Sequence, residues 1–285
     1  MNRISYSQLS LYNECPYHWK LRYIDKIKKQ ESNIHLIFGT AMHTTLQKYL
    51  KTMYSVSIKA ANELDLFLTL QEELIKEFKS AKEKDEKDPC TKEDLKEFFD
   101  DGVFIIDWFK KHRGEYFSKR NWTLIGCEVP INIEVKNNIR FVGFLDVVLE
   151  HEPTGMIKIV DIKTSTRGWN KYQKKDKNKM LQLLLYKEYF AQQRNKSLDN
   201  INIEYFIVKR KLYENTDYPQ KRIQTFTPAH GKVSMNRMKN SLTNFLDSAF
   251  DSSGEHKQNM IATPSKKACK FCEFNQTEYC DVGIR

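Results

Sequence analysis

The sequence predicts an α/β fold in which helices flank a central mixed β-sheet, with an additional helical insertion. Three observations lead to this prediction. Apolar residues alternate over 141–165 and indicate a β-hairpin, because side chains of a strand point to opposite faces in turn. A strongly apolar helix over 180–190 separates this hairpin from a further strand over 201–208. Residues 55–120 form a long, highly charged stretch with helical periodicity, which we interpret as the insertion.

Length and composition are those of a single basic domain. A chain of 285 residues can bury one sizeable core, so we interpret residues 1–285 as one domain with a helical insertion over 55–120 and a cysteine-rich tail over 262–285. The 47 Lys and Arg residues outnumber the 37 Asp and Glu residues, and the formal charge of +10 favours a polyanionic partner. The sequence has no apolar run of about eighteen residues and no signal-type segment. We therefore expect a cytoplasmic protein that contacts no membrane.

The first two predicted helices each carry one residue that can bind a metal ion. Ser7 is the predicted N-cap of the first helix, which ends at Cys15 because Pro16 restricts the residue before it. In the second helix, small residues precede His43 and allow another backbone to approach closely. A lone histidine on a helix is usually structural, so His43 needs a second signal before a role is assigned to it.

A strand pattern over 122–135 precedes the hairpin and contains Glu128. Pro130 cannot donate a backbone hydrogen bond, so this strand lies at an edge of the sheet or ends there. The next feature is the hairpin itself, whose turn is predicted as a type I turn across residues 152–155. That turn sets a register in which Asp146 lies directly opposite Asp161.

The hairpin therefore brings two carboxylates together between apolar strands. Alternation predicts one face of the first strand with Val142, Phe144, Asp146 and Val148, and one face of the second with Ile157, Ile159, Asp161 and Lys163. Facing carboxylates about 5 Å apart repel each other, and a divalent cation with oxygen ligands is the simplest way to neutralise them. The alternative is a surface hairpin with polar ends, but both strands are apolar on both faces, which makes stray charges costly.

A basic segment with two aromatic residues follows Lys163. Interleaved basic and aromatic side chains suit a loop that tracks phosphates and stacks on bases, and the alternative is an ordinary solvated loop. The candidate DNA-binding residues are Trp169, Tyr172, Lys174, Lys175, Lys177 and Lys179. The apolar helix that follows carries Gln182 and Tyr186 on one face, because the two are four residues apart. A glutamine in such a helix needs a hydrogen-bond partner.

Three of the six cysteines fall within the tail. A strand over 201–208, its hairpin partner over 222–227 and a helix that starts at Pro228 and continues to about Phe250 come before them. Three thiols within a dozen residues, at Cys269, Cys272 and Cys280, indicate a metal site. Zinc would accept a fourth ligand from elsewhere, for example His256. The other candidate is Cys15, which would link the two ends of the chain.

These motifs resemble the PD-(D/E)xK nuclease superfamily, and in particular its RecB-like branch. That branch includes RecB and AddB nuclease domains, CRISPR-associated adaptation nucleases and standalone iron–sulfur single-strand exonucleases. Six signals occur in the order of that family: Cys15-Pro16, His43, Asp146, Asp161-x-Lys163, Gln182-x3-Tyr186 and the tail cysteines. The resemblance implies a restriction-endonuclease-like core.

The resemblance also implies roles for individual residues. The expected ligands of Mg²⁺ or Mn²⁺ are His43, Asp146, Asp161 and the carbonyl of Ile162. Lys163 is expected to position the nucleophilic water, and Glu128, Gln182 and Tyr186 are expected to complete the catalytic site. The expected ligands of a [4Fe–4S] cluster are Cys15, Cys269, Cys272 and Cys280, with Zn²⁺ as the alternative metal.

The predicted function is that of a metal-dependent deoxyribonuclease. By resemblance, we expect an exonuclease on single-stranded DNA ends in recombination, repair or phage DNA metabolism. The sequence has no Gly-rich phosphate loop, so a separate helicase or recombination protein is a candidate partner. Two alternatives are a DNA-binding recombination subunit that does not cleave, and a scaffold protein stabilised by zinc. Cleavage of labelled DNA separates the first interpretation from both alternatives, and the colour of the protein separates iron from zinc.

Overall fold

A mixed β-sheet with helices on both faces forms the centre of the computed structural model, which describes residues 1–27 and 31–284. Arg285, the last residue of the predicted tail, lies outside the described residues. The strands are β1 (Asn2–Ile4), β2 (Trp122–Lys136), β3 (Ile139–His151), β4 (Met156–Ser165), β5 (Ile201–Lys209) and β6 (Ile223–Phe226). The α-helices are α1 (Tyr6–Glu14), α2 (Pro16–Trp19), α3 (Ile34–Ser55), α4 (Ile58–Glu63), α5 (Leu66–Asp85), α6 (Lys92–His112), α7 (Lys171–Lys175), α8 (Lys177–Arg194), α9 (Lys232–Ala249) and α10 (Lys266–Cys269).

Strand β3 is the strand around which the sheet is arranged. One edge of β3 pairs with the antiparallel β2, and the other edge pairs first with the parallel β1 and then with the antiparallel β4. Strand β4 pairs in parallel with β5, and β5 pairs with the antiparallel β6. The helix α8 lies in the connection between β4 and β5, because parallel neighbours need a long crossover. The predicted mixed sheet flanked by helices is thus confirmed.

The hairpin of β3 and β4 has the predicted register, with Val147 opposite Val160. Its turn begins one residue earlier than predicted, because the His151 carbonyl accepts hydrogen bonds from the N–H groups of Thr154 (3.2 Å) and Gly155 (2.8 Å). Gly155 has a φ of +65°, a left-handed conformation that glycine adopts without a steric penalty. The predicted turn across residues 152–155 is therefore corrected to one that starts at His151.

The two faces of the sheet carry separate apolar cores. Ile157 and Ile159 of β4 pack in a first core with residues of α8 and α9, whereas Val160 and Ile162 pack in a second core with residues of α3, α5 and α6. The predicted alternation along β4 is therefore present. Helices α4 to α6, which span most of the predicted insertion over 55–120, cover the second face together with α3.

Two predicted helix starts are wrong by a few residues. Ser5 caps α1 instead of Ser7, and its hydroxyl accepts the N–H of Gln8 at 3.4 Å. The helix predicted from Pro228 begins at Lys232 behind Gly231, and Pro228 lies in the segment before it. Among the described residues, no helix is long and apolar enough to cross a membrane.

Candidate active site and cysteine centre

The two candidate metal-binding carboxylates lie where β3 and β4 separate. Pairing between the two strands ends at Val147 and Val160, one residue before Asp146 and Asp161 would face each other. Instead, Asp146 Oδ2 accepts a 2.7 Å hydrogen bond from the backbone N–H of Ile162. The predicted direct pairing of Asp146 with Asp161 is therefore wrong. The separation of the strands lets a side chain satisfy the Ile162 N–H, and it avoids two charged groups facing each other across a ladder.

Strands β2 and β3 exchange faces at Glu128 and Asp146. The flanking residues Val129 and Leu145 pack in the first core, and Cys127 and Val147 pack in the second. Residues two positions apart normally share a face, so the alternation is interrupted between them. Glu128 has a φ of +54°, a left-handed conformation that is uncommon for a glutamate. Asp146 therefore lies at the point where the apolar side chains of β3 change from one face of the sheet to the other.

Because of this exchange of faces, the set of residues predicted to share one face of β3 is wrong. Val142, Phe144, Asp146 and Val148 do not share one face, because Val148 packs in the first core while 58% of Phe144 is exposed. A strict period of two therefore applies to β4 but not to β3.

Asp161 is almost completely buried, with 1% of its surface exposed. Its Oδ2 atom lies 2.7 Å from Lys163 Nζ, yet among the described residues it has no hydrogen bond of regular geometry. Burial raises the pKa of Asp161 to about 6, although the Lys163 charge lowers it in part. Burial alone would lower the pKa of Lys163, but the charges of Asp161 and Asp146 raise it above its ordinary value. Lys163 therefore keeps its proton at neutral pH.

The helix α3 brings His43 to the same place. Gly39, one turn before His43, lies close to β4: a Cβ atom at Gly39 would be 3.2 Å from Thr164 Oγ1. His43 Nδ1 lies 3.6 Å from Asp146 Oδ2. Burial and the Lys163 charge lower the pKa of His43 to about 4, although a hydrogen bond to the backbone of Ile162 favours the protonated ring. His43 is therefore neutral at pH 7 and has a lone pair to offer.

The donor set fits a hard divalent cation. It contains one buried carboxylate, one partly buried carboxylate and a neutral imidazole, and the backbone of Ile162 contacts both Asp146 and His43. Asp161 Oδ2 is a buried carboxylate oxygen without a well-directed donor, which is what a metal ligand requires before the ion binds. Carboxylate and carbonyl oxygens with one histidine suit Mg²⁺ or Mn²⁺.

The buried carboxylates predict an unusual pH dependence of stability for the metal-free protein. The pKa values of Asp146 and Asp161 are about 6 in the folded protein and 3.8 without perturbation. Between these values the folded state binds more protons than the unfolded state, so these two groups make the protein more stable as the pH falls. His43 has the opposite effect, because its lowered pKa makes the folded state resist protonation below the ordinary value of 6.5.

A comparison with the double variant Asp146→Asn/Asp161→Asn isolates the contribution of the carboxylates. We expect the variant to have a higher free energy of unfolding than the wild type. This difference between the two proteins should be larger at a pH of about 7.5 than at about 4.5. Urea unfolding without divalent cations at both pH values measures this difference. A difference between the two proteins that does not change with pH would contradict the assignment.

Gln182 and Tyr186 of α8 form the pair that the helix spacing predicts. Gln182 Nε2 donates to the Tyr186 hydroxyl at 3.3 Å. The Tyr186 ring packs against β3 at Gly143, where an added Cβ atom would lie 2.9 Å from Tyr186 Cε1. Burial raises the pKa of Tyr186 to about 12, and the charges of Asp161 and Asp146 act in the same direction. The phenol therefore stays protonated beside the carboxylates.

Two further residues belong to this site and were missed in the sequence. Gln47 is 5% exposed, and its Nε2 donates to Glu128 Oε1 at 2.6 Å and to the Asp146 carbonyl at 3.1 Å. Its spacing of four residues from His43 was a usable signal, because it places both on one face of α3. Tyr6 lies near Lys163 and Asp161, and burial raises its pKa. No motif in the sequence marks Tyr6.

The basic segment after Lys163 is helical from Lys171 onward, which corrects that part of the predicted loop. Asn170 caps α7, and Asp176 caps α8 directly after it. Tyr172 is 72% exposed. Trp169, in contrast, is buried: its ring centroid lies 4.8 Å from that of Tyr205, and its backbone N–H donates to Gln224 Oε1 at 2.8 Å. The interpretation of Trp169 as a base-stacking residue is therefore wrong.

Adjoining surface depressions beside Tyr172 form a groove between α8, α9 and α10. We call it the basic groove, after the five cationic side chains that line it: Lys174, Lys175, Lys177, Arg237 and Lys267. Lys267 Nζ lies 3.0 Å from Asp176 Oδ2, so the tail docks on the start of α8. The Nζ atom of Lys179 lies 5.4 Å from the centroid of the Trp169 ring, and Lys179 does not line these depressions.

The four cysteines proposed to bind one metal group line a single cavity. The proximity of Cys272, Cys15 and Cys269 adds to the effect of burial and raises the pKa of Cys280. Cys15 Sγ accepts the N–H of Thr263 at 3.5 Å, and backbone groups of Phe274 and Gly283 hydrogen-bond to Cys272 and Cys280. None of the cysteines in the described chain forms a disulfide. Four thiols, three of them with a backbone hydrogen bond to the sulfur atom, fit an iron–sulfur cluster or zinc.

Of two histidines near the tail, one lines the cysteine cavity and the other does not. The His256 ring packs on Trp19 and Phe250, with centroids 5.8 and 4.9 Å apart, and it does not line the cysteine cavity. The prediction that His256 could complete a zinc site is therefore wrong. His18 does line the cavity, and its Nε2 lies 2.9 Å from Glu273 Oε2.

His18 was missed in the sequence, although it follows Cys15 by only three residues. Burial alone would lower the pKa of His18, but hydrogen bonds to Cys272 and Glu273 raise it to about 9. The hydrogen bond from His18 in turn lowers the pKa of the Cys272 thiol, although burial acts in the opposite direction.

Comparison with known proteins gives one match. The family model of the PD-(D/E)XK nuclease superfamily matches residues 3–280, which is nearly the whole chain. No curated protein matches the chain at a significant level.

Proposed function

The chain belongs to the PD-(D/E)XK nuclease superfamily, and on this basis we propose that it is an exonuclease that degrades single-stranded DNA from its ends. Family membership itself supports a metal-dependent nuclease. The observation that carries the proposal to a particular site is the convergence of His43, Asp146, Asp161 and Lys163 at the point where β3 and β4 separate. We further propose that the protein acts in recombination, repair or phage DNA metabolism, where a separate helicase or recombination protein would supply single strands.

The proposed ligands of the catalytic cation are His43, Asp146, Asp161 and the Ile162 carbonyl. A bound Mg²⁺ or Mn²⁺ would neutralise the two carboxylates and polarise the scissile phosphate. Neutral His43 suits this role, because a protonated ring has no lone pair to share. The hydrogen bond from the Ile162 N–H holds Asp146, so that one of its oxygens is already oriented before the cation binds.

Lys163 has a different part in the reaction. Its raised pKa keeps the ammonium charged, so Lys163 is not the base. An ammonium can donate hydrogen bonds to the attacking water and to the negative charge that develops on the phosphate. The Gln182–Tyr186 pair offers further donors beside the same carboxylates. Glu128, which Gln47 holds, offers an additional acceptor for a water molecule.

The basic groove supports a DNA substrate. Its cations can contact successive phosphates, and the exposed ring of Tyr172 can stack on a base. Helix α8 links the two regions, since Lys177 lines the groove and Gln182 and Tyr186 contact the candidate active site. A flexible single strand can follow such a path more easily than a stiff duplex.

Digestion of labelled DNA tests the proposal. Linear single strands labelled at the 5′ or the 3′ end, duplexes and single-stranded circles are incubated with and without Mn²⁺. Metal-dependent degradation of linear single strands with circles left intact is the expected result. Cleavage of circles would show an endonuclease. No cleavage of any substrate would favour the two alternatives, a DNA-binding subunit without cleavage activity or a scaffold stabilised by zinc.

The basic groove leads to a prediction for DNA binding. Replacing Lys174, Lys175 and Lys177 with Ala should weaken binding of a single-stranded oligonucleotide and reduce the slope of log K against log salt concentration by ~0.7 per lost phosphate contact. Fluorescence anisotropy without divalent cations measures binding separately from cleavage.

Lys179→Ala is the matched control, because the Lys179 ammonium lies over the Trp169 ring and Lys179 does not line the groove. We expect it to bind DNA with the wild-type slope. An unchanged slope in the triple variant would show that the groove is only a solvated surface.

A further inference from the structure

His18 connects α2 to the cysteine-rich tail next to one of the tail cysteines. It is 7% exposed, and its Nε2 lies 2.9 Å from Glu273 Oε2. One nitrogen of His18, the sulfur of Cys272 and one oxygen of Glu273 all lie within 4.8 Å of one another. The His18 ring also packs edge-on against Phe274, with centroids 5.6 Å apart. His18 is thus held on two sides in front of one cysteine of the cavity.

A partly buried ion pair of this kind is not explained by packing. Burying two polar groups is costly, and apolar residues of similar volume would often stabilise the fold equally well. Neither His18 nor Glu273 takes part in the proposed cleavage reaction. One nitrogen of the His18 ring lies within 4.8 Å of the Cys272 sulfur, which also accepts a hydrogen bond from the backbone of Phe274.

We propose that His18 is a positioning residue for Cys272, whose sulfur accepts a hydrogen bond from the His18 ring while Glu273 fixes the orientation of that ring. This inference rests on the proposed cysteine centre. Cys272 lines one cavity together with Cys15, Cys269 and Cys280, so its sulfur belongs to the same set of four thiols. Residues that orient a ligand in this way contribute to metal affinity and to the electronic properties of the bound group.

Two physical consequences follow. A hydrogen bond to a ligand sulfur withdraws negative charge from it and thereby favours the reduced state of an iron–sulfur cluster. It also fixes the ligand, so that loss of the metal requires the sulfur to leave a preformed position. His18 therefore raises the reduction potential of the cluster and slows the loss of iron.

The test compares four variants of the full chain: His18→Phe, His18→Gln, Glu273→Gln and Glu278→Gln. Phe fills the space of the ring without a donor, whereas Gln keeps an N–H group. Glu278→Gln is the control, because Glu278 is an exposed acid in the same tail. The measurements are iron and sulfide content, the rate of iron loss to a chelator, and the midpoint potential.

We expect His18→Phe and Glu273→Gln to lose iron roughly 10- to 100-fold faster than the wild type, since outer-sphere partners of metal ligands have effects of this size. Their midpoint potentials should shift to more negative values. His18→Gln should restore part of both properties, and Glu278→Gln should match the wild type. A merely structural role would change the melting temperature of His18→Phe but not its potential.

Wild-type potentials and wild-type rates of iron loss in His18→Phe and Glu273→Gln would overturn the proposal. If His18→Phe does not fold, Glu273→Gln still tests the proposal, because this variant retains the His18 ring and loses only the carboxylate that fixes its orientation. If the wild-type protein carries zinc, the cluster assignment fails while the positioning role remains testable. The rate of zinc loss to a chelator in the same variants then gives the answer.

Discussion

Asp146→Ala, Asp161→Ala and Lys163→Ala should each reduce metal-dependent DNA cleavage by roughly 10²- to 10³-fold or more, the size of effect seen when one preorganised electrostatic group is removed. Asp146 and Asp161 converge with His43 where β3 and β4 separate, so the loss of either carboxylate removes a proposed metal ligand. Lys163 is the ammonium nearest to them, with its Nζ 2.7 Å from Asp161 Oδ2. Rates of digestion with saturating Mn²⁺ measure the effect.

The same variants should keep the fold. Without the metal, removal of one carboxylate relieves repulsion, but Asp146→Ala also removes the acceptor of the Ile162 N–H and Asp161→Ala removes the carboxylate beside Lys163. These effects oppose each other, so we expect only a small change in the melting temperature of the metal-free variants. Asp100→Ala is the matched control, because Asp100 lies on α6 and forms a surface ion pair with Lys96. If Asp161→Ala or Lys163→Ala digests DNA at the wild-type rate, the proposed mechanism is wrong.

Anaerobically purified protein should be brown and contain about four irons per chain, if Cys15, Cys269, Cys272 and Cys280 bind one [4Fe–4S] cluster. Cys15 precedes the tail by almost the whole chain, so the bound group would close a very long loop. In the chain-entropy model a covalent link of this length removes roughly 5 kcal/mol of unfolded-state freedom. Each Cys→Ala change should therefore lower the melting temperature and the solubility, and DNA cleavage should be lost as a consequence.

Cys90→Ala provides the comparison for a cysteine outside this cavity, since Cys90 packs against the second core. It should retain the colour and the iron content of the wild type. Iron and zinc analysis with thermal unfolding of the five variants measures the effect. A colourless protein with one zinc per chain, whose stability does not depend on Cys15, would exclude the cluster.

The local features of the hairpin were readable in the sequence. A period of two along β4 predicted that Ile157 and Ile159 face one core while Val160 and Ile162 face the other. The register of the hairpin was also correct, with Val147 opposite Val160, although its turn begins at His151. Short-range sterics and hydrogen bonds determine such features, so they leave a trace in neighbouring residues. The order of the short motifs along the chain was likewise enough to indicate the family.

The arrangement of the candidate site was decided by contacts between residues far apart in the chain. The strands separate just before Asp146 and Asp161, and β2 and β3 exchange faces at Glu128, where the backbone is left-handed. Gln47 joins this site through hydrogen bonds to Glu128 and to the Asp146 carbonyl. Periodicity could not predict these features, because the twist depends on how two helical layers pack on opposite faces of one sheet.

Contacts between distant residues also explain why the environments of Trp169 and His18 were not predicted from the sequence. Trp169 stands in a basic segment and reads as exposed, yet its ring fills a gap beside Tyr205 on β5. His18 has no motif of its own and acquires its environment only when the tail places Cys272 and Glu273 against it. The sequence by itself determined the strands, the motifs and the family. Which side chains are buried together was determined by the tertiary structure, because burial depends on surfaces that distant segments contribute.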